Sequence, residues 1–187
     1  MRVDLSQFER AYAAEPDPWN FAGSPYEQRR FAITIASLPR ARYRRCFEPG
    51  CAVGALTRQL SERADQVIAM EASPTASREA SRRLGDRPNV SVVNGSIPES
   101  WPDGMFDLVV WSELGYYWDA TELKHIVRRA GSLLAADGHL AAVHWLGSSD
   151  DHVLSGYDVH AVFGQAFGAP MVHHVDTHFL LDIWRAS

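Results

Sequence analysis

The sequence predicts an α/β fold: a mostly parallel seven-stranded sheet flanked by helices. Three observations predict it. From Tyr43 onward, short apolar runs alternate with amphipathic stretches, and strands alternating with helices of about 10–15 residues form βαβ units. One run, Met105–Ser112, is nearly continuous in apolar residues, as a strand covered on both faces must be. The last two runs, Met171–Asp176 and His178–Trp184, adjoin each other and read as a closing pair of strands.

The elements follow in order. Ser6–Ala14 reads as a short helix, with Phe8 and Tyr12 at i, i+4 spacing. Two prolines within Glu15–Asn20 break it. Ser24-Pro25 opens a second helix as N-cap and N1, and it ends before Pro39. Arg44–Glu48 is the first strand and leads into a glycine-bearing turn. A helix is expected over Ala55–Ala64, a strand over Gln66–Glu71, a helix from Ser73-Pro74 to near Gly85, and a strand over Asn89–Val93. After Met105–Ser112, the stripe of Leu123, Ile126, Val127, Ala130, Leu133 and Leu134 predicts a helix over Thr121–Ala135. Asp137-Gly138 is read as its stop, and His139–Trp145 as strand five. A short helix around Tyr157–Phe167 precedes the closing pair.

The chain has 187 residues, the size of one domain. We expect residues 1–42 to form a helical lid or cap and residues 43–187 to form the domain built on the sheet. At 46% hydrophobic and 22% charged, the composition excludes disorder for most of the length. A net charge of −5 argues against holding nucleic acid by bulk charge. No apolar run approaches the ~20 residues of a membrane span. Asp4, Glu9 and Arg10 interrupt the N-terminus, so no secretory signal is read there and the cytoplasm is the expected location. Cys46 and Cys51, five residues apart, match neither a disulfide framework nor a metal-ligand spacing. They read as inert buried thiols.

Ligands of parallel sheets bind at the carboxyl ends of the strands. Those ends are Glu48–Gly54, Glu71, Asn94–Ser96, Ser112-Glu113 and His144-Trp145. Gly50 and Gly54 flank the first turn, where glycine lets a ligand approach the main chain. Glu71 closes the second strand, 21 residues after Gly50, where a carboxylate can accept both ribose hydroxyls. Together they indicate a nucleoside-containing cofactor. A dinucleotide fingerprint needs a second glycine for the pyrophosphate, and that position holds Ala52. S-adenosylmethionine has no pyrophosphate. Glu48 would repel a phosphate but favours a sulfonium or an ammonium, directly or through the turn.

The run Phe47-Glu48-Pro49-Gly50-Cys51-Ala52-Val53-Gly54-Ala55-Leu56-Thr57 resembles motif I of class I S-adenosylmethionine-dependent methyltransferases, and Glu71 matches their ribose acid. Phe106-Asp107-Leu108-Val109, Ser112-Glu113 and Leu133–Leu140 match later signatures. The resemblance implies the Rossmann-like class I methyltransferase fold. A narrower resemblance, to the NodS-like subfamily, rests on Asp17-Pro18-Trp19, Tyr26–Arg30, Glu48–Cys51, Trp101-Pro102 and Ser112–Tyr117. The namesake methylates an amino group of a chitooligosaccharide, which implies a saccharide or similarly polar acceptor. Many class I enzymes place an Asp after strand three to meet the adenine amino group. Asn94-Gly95-Ser96 offers a serine hydroxyl instead, a weaker acceptor. Ala72, Gly95, Ile97 and Ser112 complete the expected cofactor contacts. The resemblance also assigns Arg30 to the cofactor carboxylate.

Methyl transfer needs acceptor, methyl and sulfur in line. An amine need only arrive neutral, whereas a hydroxyl gains more from a general base. His144, ending strand five, is the expected base, and Glu113 the residue that orients it or the acceptor. A buried histidine holding a backbone group is the competing reading of His144. These two side chains tilt the expectation towards a sugar hydroxyl over an amine. Trp19, Tyr116, Tyr117 and Trp145 are candidates for stacking on a sugar, and Trp19 also on adenine, with core packing the alternative. Asp150-Asp151-His152 could join Glu113 or His144 in binding a divalent cation that clips sugar hydroxyls. No standard metal spacing supports this, and a solvated loop is the competing reading. No metal ligand is assigned and metal dependence is left open.

The expected partner is thus a mono- or short oligosaccharide, with no nucleic acid and no membrane. Few residues remain to cover it, so the site is either open at one end or completed by a homodimer partner. An enzyme acting on another small metabolite and a non-catalytic cofactor-binding module are the alternatives. An adenine-modifying nucleic-acid enzyme would carry Asn/Asp-Pro-Pro-aromatic after strand four, where Ser112–Tyr116 stands.

Overall fold

The computed structural model describes residues 4–186. Residues 1–3 of the expected cap and Ser187 of the expected domain lie outside them. The chain divides into two compact units, residues 4–103 and 104–186.

The first unit contains α1 (Ser6–Ala14), α2 (Pro25–Ser37), β1 (Tyr43–Pro49), α3 (Ala55–Leu60), β2 (Ala64–Glu71), α4 (Pro74–Arg83) and β3 (Val90–Asn94). Its strands are parallel in the order β3-β2-β1. The second unit contains β4 (Phe106–Ser112), a 3-10 turn (Gly115–Tyr117), α5 (Ala120–Gly131), β5 (Leu134–Trp145), α6 (Gly156–Phe167), β6 (Val172–Val175) and β7 (Phe179–Arg185). Its order is β4-β5-β7-β6, with β4 and β5 parallel and β7 antiparallel to both neighbours. The seven strands belong to one mostly parallel, helix-flanked sheet.

Two caps fall where the sequence places them, and the structure adds two more. The Ser24 and Ser73 hydroxyls accept from the amides of Glu27 and Ala76, each ahead of a proline at the first helical position. Asp119 accepts from Thr121 and Glu122, and Ser155 forms a capping box with Asp158. Each strand core is apolar: Cys46 and Phe47, Val67 and Ala69, Leu108 to Trp111, and Leu140 to Val143 are fully buried. Each large side chain so buried contributes about 1.5–3 kcal/mol.

Two expected helix ends move by four residues. Helix α3 stops at Leu60 rather than Ala64, because the Asn89 side-chain amide donates to the Ser61 and Ala64 carbonyls and turns the chain into β2. Helix α5 stops at Gly131 rather than Ala135. The Ser132 hydroxyl donates to the Arg129 carbonyl, which competes with further helix. Leu134 then starts β5, and Asp137-Gly138 is an irregularity inside that strand, not a stop before it. Phe106 pairs with Leu134 but Leu108 pairs with His139.

Register places the candidate positions. In the first unit Pro49 pairs with Met70 and Glu71 with Asn94, so the carboxyl ends of β1, β2 and β3 lie side by side. In the second unit Ser112 pairs with Val143, which sets the chain after β4 beside His144 and Trp145.

Candidate functional site

In the first unit the turn after β1 carries three left-handed residues, Gly50 (φ 70°), Ala52 (φ 50°) and Gly54 (φ 79°). Glycine is favoured at position 54 on two counts. Its φ is unfavourable for other residues, and a Cβ would lie 2.7 Å from Leu84 Cδ1. Ala52 accepts the same strain with its amide held: it donates to Glu71 Oε2 at 2.9 Å. The amide of Ser73 donates to Glu71 Oε1 at 2.9 Å. Glu71 is thus fixed by one bond to each oxygen, and a carboxylate has about four acceptor positions. It can still accept the two ribose hydroxyls. Burial pushes its carboxyl above the ordinary range, against the backbone bonds from Ser73, Ala52 and Ala72.

Glu48 lies beneath this turn and is buried, accepting a 2.6 Å bond from the Thr57 hydroxyl. Burial pushes its carboxyl up to about 8, against the Thr57 bond and with a further rise from the charge of Glu71. It therefore holds a proton near neutrality until a cation approaches. The folded state binds this proton between about pH 4.5, the ordinary value, and pH 8. Stability must then fall as pH rises through that window, by at most about 1.4 kcal/mol per pH unit. Glu48→Gln should lose this slope. Urea unfolding of both proteins at pH 5.5 and 7.5 checks it; equal pH dependence would contradict the buried proton. Cys46 and Cys51 are both buried. Burial, then Glu48 and Glu71, raise the Cys51 thiol well above its usual value, which fits inert thiols.

The remaining first-unit candidates divide. The Ser96 hydroxyl donates to Glu99 Oε2 at 2.8 Å, and its lone pairs remain acceptors. Ala72 accepts from the Asn94 side chain at 3.1 Å. Ile97 is buried, and Gly95 packs on Ser100 and Met70. Arg30 is buried beside Glu27, with its Nε 3.1 Å from Oε2, and packs against Phe31. A cofactor carboxylate would share its guanidinium with Glu27. Trp19 is 44% exposed and joins Phe8, Tyr12 and Phe21 at ring-centroid distances of 5.3–6.0 Å. Phe8, Tyr12 and Phe21 in turn pack with Ala52, Val53 and Ala76, the turn and α4.

In the second unit Glu113, Tyr116, Tyr117, His144 and Trp145 come together. Ser112 is half-buried at the end of β4. Glu113 has a left-handed backbone (φ 54°), a strained state for a non-glycine residue. Its Oε1 accepts from the Trp145 amide at 2.8 Å and its Oε2 from the Tyr116 hydroxyl. Tyr116 is buried and stacks on His152 at 3.9 Å, with Tyr117 edge-on to both. Of the four stacking candidates, Tyr116 is therefore a packed residue, whereas Tyr117 and Trp145 are half-buried.

His144 takes the competing geometry. It is fully buried, and its Nε2 accepts the Gly115 amide at 3.1 Å while its Nδ1 faces His160 Nε2 at 3.1 Å. Both nitrogens are occupied, so it cannot take a substrate proton without releasing Gly115. The expectation of a base at His144, and with it the tilt to a hydroxyl, loses its physical ground. Three residues escaped sequence reasoning: Gly115, His160 and Asp182. An Asp inside the apolar run Phe179–Trp184 was the available signal. Among the described residues no group of His, Cys, Asp and Glu could hold a metal ion, and no helix is long and apolar enough to cross a membrane.

The strained turn, the carboxylate fixed beside it and the parallel strands that align them define a class I S-adenosylmethionine-dependent methyltransferase. The comparisons carry this to a family. The profile of nodulation protein S (NodS) matches residues 4–183. Nodulation protein S of Bradyrhizobium diazoefficiens is 30% identical over 179 residues, covering 95% of this chain and 80% of that protein. The Rhizobium tropici protein is 29% identical over 174 residues, covering 92% and 69%. The chain belongs to the NodS family. A solved protein from Pseudomonas syringae is 41% identical, with a TM-score of 0.77 over 86% of this chain and 98% of its own. The N-methyltransferase NodS of Bradyrhizobium japonicum WM9, solved with S-adenosylhomocysteine, shares the fold. Its TM-score is 0.83 at 24% identity, over 96% of this chain and 97% of its own. S-adenosylmethionine is the cofactor.

Proposed function

We propose that this methyltransferase transfers the methyl group to an amino group of a small saccharide. The observation that carries the choice of nitrogen is the Gly115 amide on His144 Nε2. With that lone pair occupied, an acceptor that needs no strong base is favoured, and a neutral amine is one. The name N-methyltransferase on the Bradyrhizobium japonicum relative points the same way. The Glu113 carboxylate supplies a charge to stabilise the ammonium that forms as the neutral amine is methylated, and half-buried Tyr117 and Trp145 offer faces for a sugar ring.

On the cofactor side, Glu71 would take the ribose hydroxyls, the Gly50–Gly54 turn with Glu48 would hold the methionine part, and Gly95, Ser96 and Ile97 with Ala72 would meet the adenine. Arg30 would hold the cofactor carboxylate, and exposed Trp19 offers a face for stacking on adenine or on the acceptor. Residues 1–42 act as the cap. The packing of Phe8, Tyr12 and Phe21 on Ala52 and Val53 supports this. So does Glu9, which accepts from the Thr75 amide at 3.2 Å and its hydroxyl at 2.6 Å at the start of α4.

Incubation with S-adenosylmethionine and glucosamine, its disaccharide, N-acetylglucosamine or glucose, read by mass spectrometry, tests the assignment. Methylation is expected on the free-amine sugars alone. Methylated glucose would restore the hydroxyl, and turnover of phenols or unrelated amines with no sugar product would overturn the saccharide. Cofactor binding without any conversion to S-adenosylhomocysteine would indicate a non-catalytic module.

A further inference from the structure

Behind His144 lies a hydrogen-bonded chain that the transfer reaction does not explain. His144 Nδ1 meets His160 Nε2 at 3.1 Å, His160 Nδ1 meets Asp182 Oδ2 at 2.7 Å, and His173 Nδ1 meets Asp182 Oδ1 at 2.6 Å. The members come from β5, α6, β7 and β6. His144, His160 and Asp182 are buried.

One backbone group sets every direction in it. The Gly115 amide can only donate, so His144 Nε2 is a bare lone pair. The ring proton of neutral His144 then sits on Nδ1 and is given to His160 Nε2. That nitrogen must be bare, so His160 carries its proton on Nδ1 and gives it to Asp182. A carboxylate, acceptor only, is the terminus this polarity requires. Asp182 suits it. Burial would raise its carboxyl, but the bonds from His160 and His173 more than reverse that and hold it below the ordinary value.

The other end of the chain is a tight seat. A Cβ on Gly115 would lie 2.3 Å from Val159 Cγ1 and 3.0 Å from His144 Nε2. The turn touches α6 and the imidazole directly, and it leads from Glu113 into Tyr116. Tyr116 also packs edge-on against the His144 ring, with centroids 5.1 Å apart.

We propose that Asp182 and His160 are positioning residues for methyl transfer: through His144 they hold the Gly115 amide and so fix the turn that presents Glu113 and Tyr116. This rests on the reading that Glu113 faces the acceptor. An apolar trio would fill the same space without a buried charge, but it would leave the Gly115 amide unpaired and the turn unregistered.

Two measurements test it. Nitrogen NMR of the imidazoles in the wild-type protein should show His144 and His160 both as Nδ1–H tautomers; an Nε2–H form of either overturns the chain. In Asp182→Asn and His160→Phe, amide hydrogen exchange at Gly115 should accelerate at least about tenfold. With the glucosamine disaccharide as acceptor, kcat should fall about ten- to hundredfold while the S-adenosylmethionine Kd stays within about twofold. Unchanged Gly115 exchange, or full kcat in both variants, overturns the positioning role. If the wild type methylates no amino sugar, the acceptor reading fails, and the tautomers and exchange rates still decide whether the chain holds the turn.

Discussion

Replacing Glu71 with Gln should raise the S-adenosylmethionine Kd by about ten- to hundredfold, the equivalent of losing one charge-assisted hydrogen bond worth about 1.5–3 kcal/mol. The effect is large because Glu71 is held from both sides. Its oxygens each accept a backbone amide, from Ala52 and Ser73, at 2.9 Å, so it cannot swing away and is pre-set for the ribose. A Gln can satisfy only one of those amides and must turn its own NH2 towards the other. Two donors then face each other. The turn should loosen as well, so the unfolding midpoint falls by a few degrees. Isothermal titration gives the affinity, and circular dichroism confirms that the variant is folded. A folded Glu71→Gln protein with unchanged affinity would remove the ribose role. The S-adenosylmethionine analogue lacking both ribose hydroxyls discriminates further. It should bind wild type and variant almost equally, since the contact at stake is gone from both.

The placement of Glu71 beside the turn was legible in the sequence because it is local. Gly50, Ala52, Gly54 and Glu71 sit on one turn and the next strand, and parallel pairing of β1 with β2 is enough to bring them together. Most elements were legible for the same reason: Ser-Pro caps, proline breaks and apolar periods act over a few residues. The errors came where two structures share a pattern. Leu133 and Leu134 fit the stripe of a helix and equally the inner face of a strand. Only the pairing of Phe106 with Leu134 decides for the strand. Asp137-Gly138 is as good a strand irregularity as a helix stop, since both want a left-handed residue, and Asp137 has φ 58°.

The histidine chain was illegible for the opposite reason. His144, His160, His173 and Asp182 come from four elements, and no spacing along the chain predicts that they meet. Position alone made His144 a base, because it ends a strand at the ligand side. What its nitrogens do depends on Gly115, on a 3-10 turn that no periodicity announced. The lone aspartate in β7 was the one visible irregularity. Asp182 is 4% exposed among Phe179, Leu180, Leu181 and Ile183, and a carboxylate there needs partners to remain charged. Read that way, it asks for buried donors on neighbouring elements, and three of the eight histidines answer, two directly and one through His160.

Glu113→Gln should lower kcat by about a hundredfold or more, within the range of about 10²–10⁴ that a positioned carboxylate contributes by charge and proton transfer. Its cofactor affinity should change little. The backbone argues for a functional residue. Glu113 stays at φ 54°, a conformation that costs about 1–3 kcal/mol for a non-glycine side chain. A glycine or asparagine would relieve that strain. The strained glutamate is what points the carboxylate at the Trp145 amide and the Tyr116 hydroxyl. Glutamine keeps shape and one acceptor, so the Trp145 bond can survive while the charge does not. The loss should therefore appear in kcat for an amino-sugar acceptor and not in folding. Tyr116→Phe separates the remaining possibilities. Without the phenol, Oε2 loses a donor but keeps its charge. A carboxylate that acts by charge tolerates that change with a loss of no more than about tenfold, the scale of one hydrogen bond. Equal losses in Glu113→Gln and Tyr116→Phe would instead show that the Glu113–Tyr116 bond serves only to hold the turn. A Glu113→Gln enzyme with wild-type kcat would place the acceptor elsewhere.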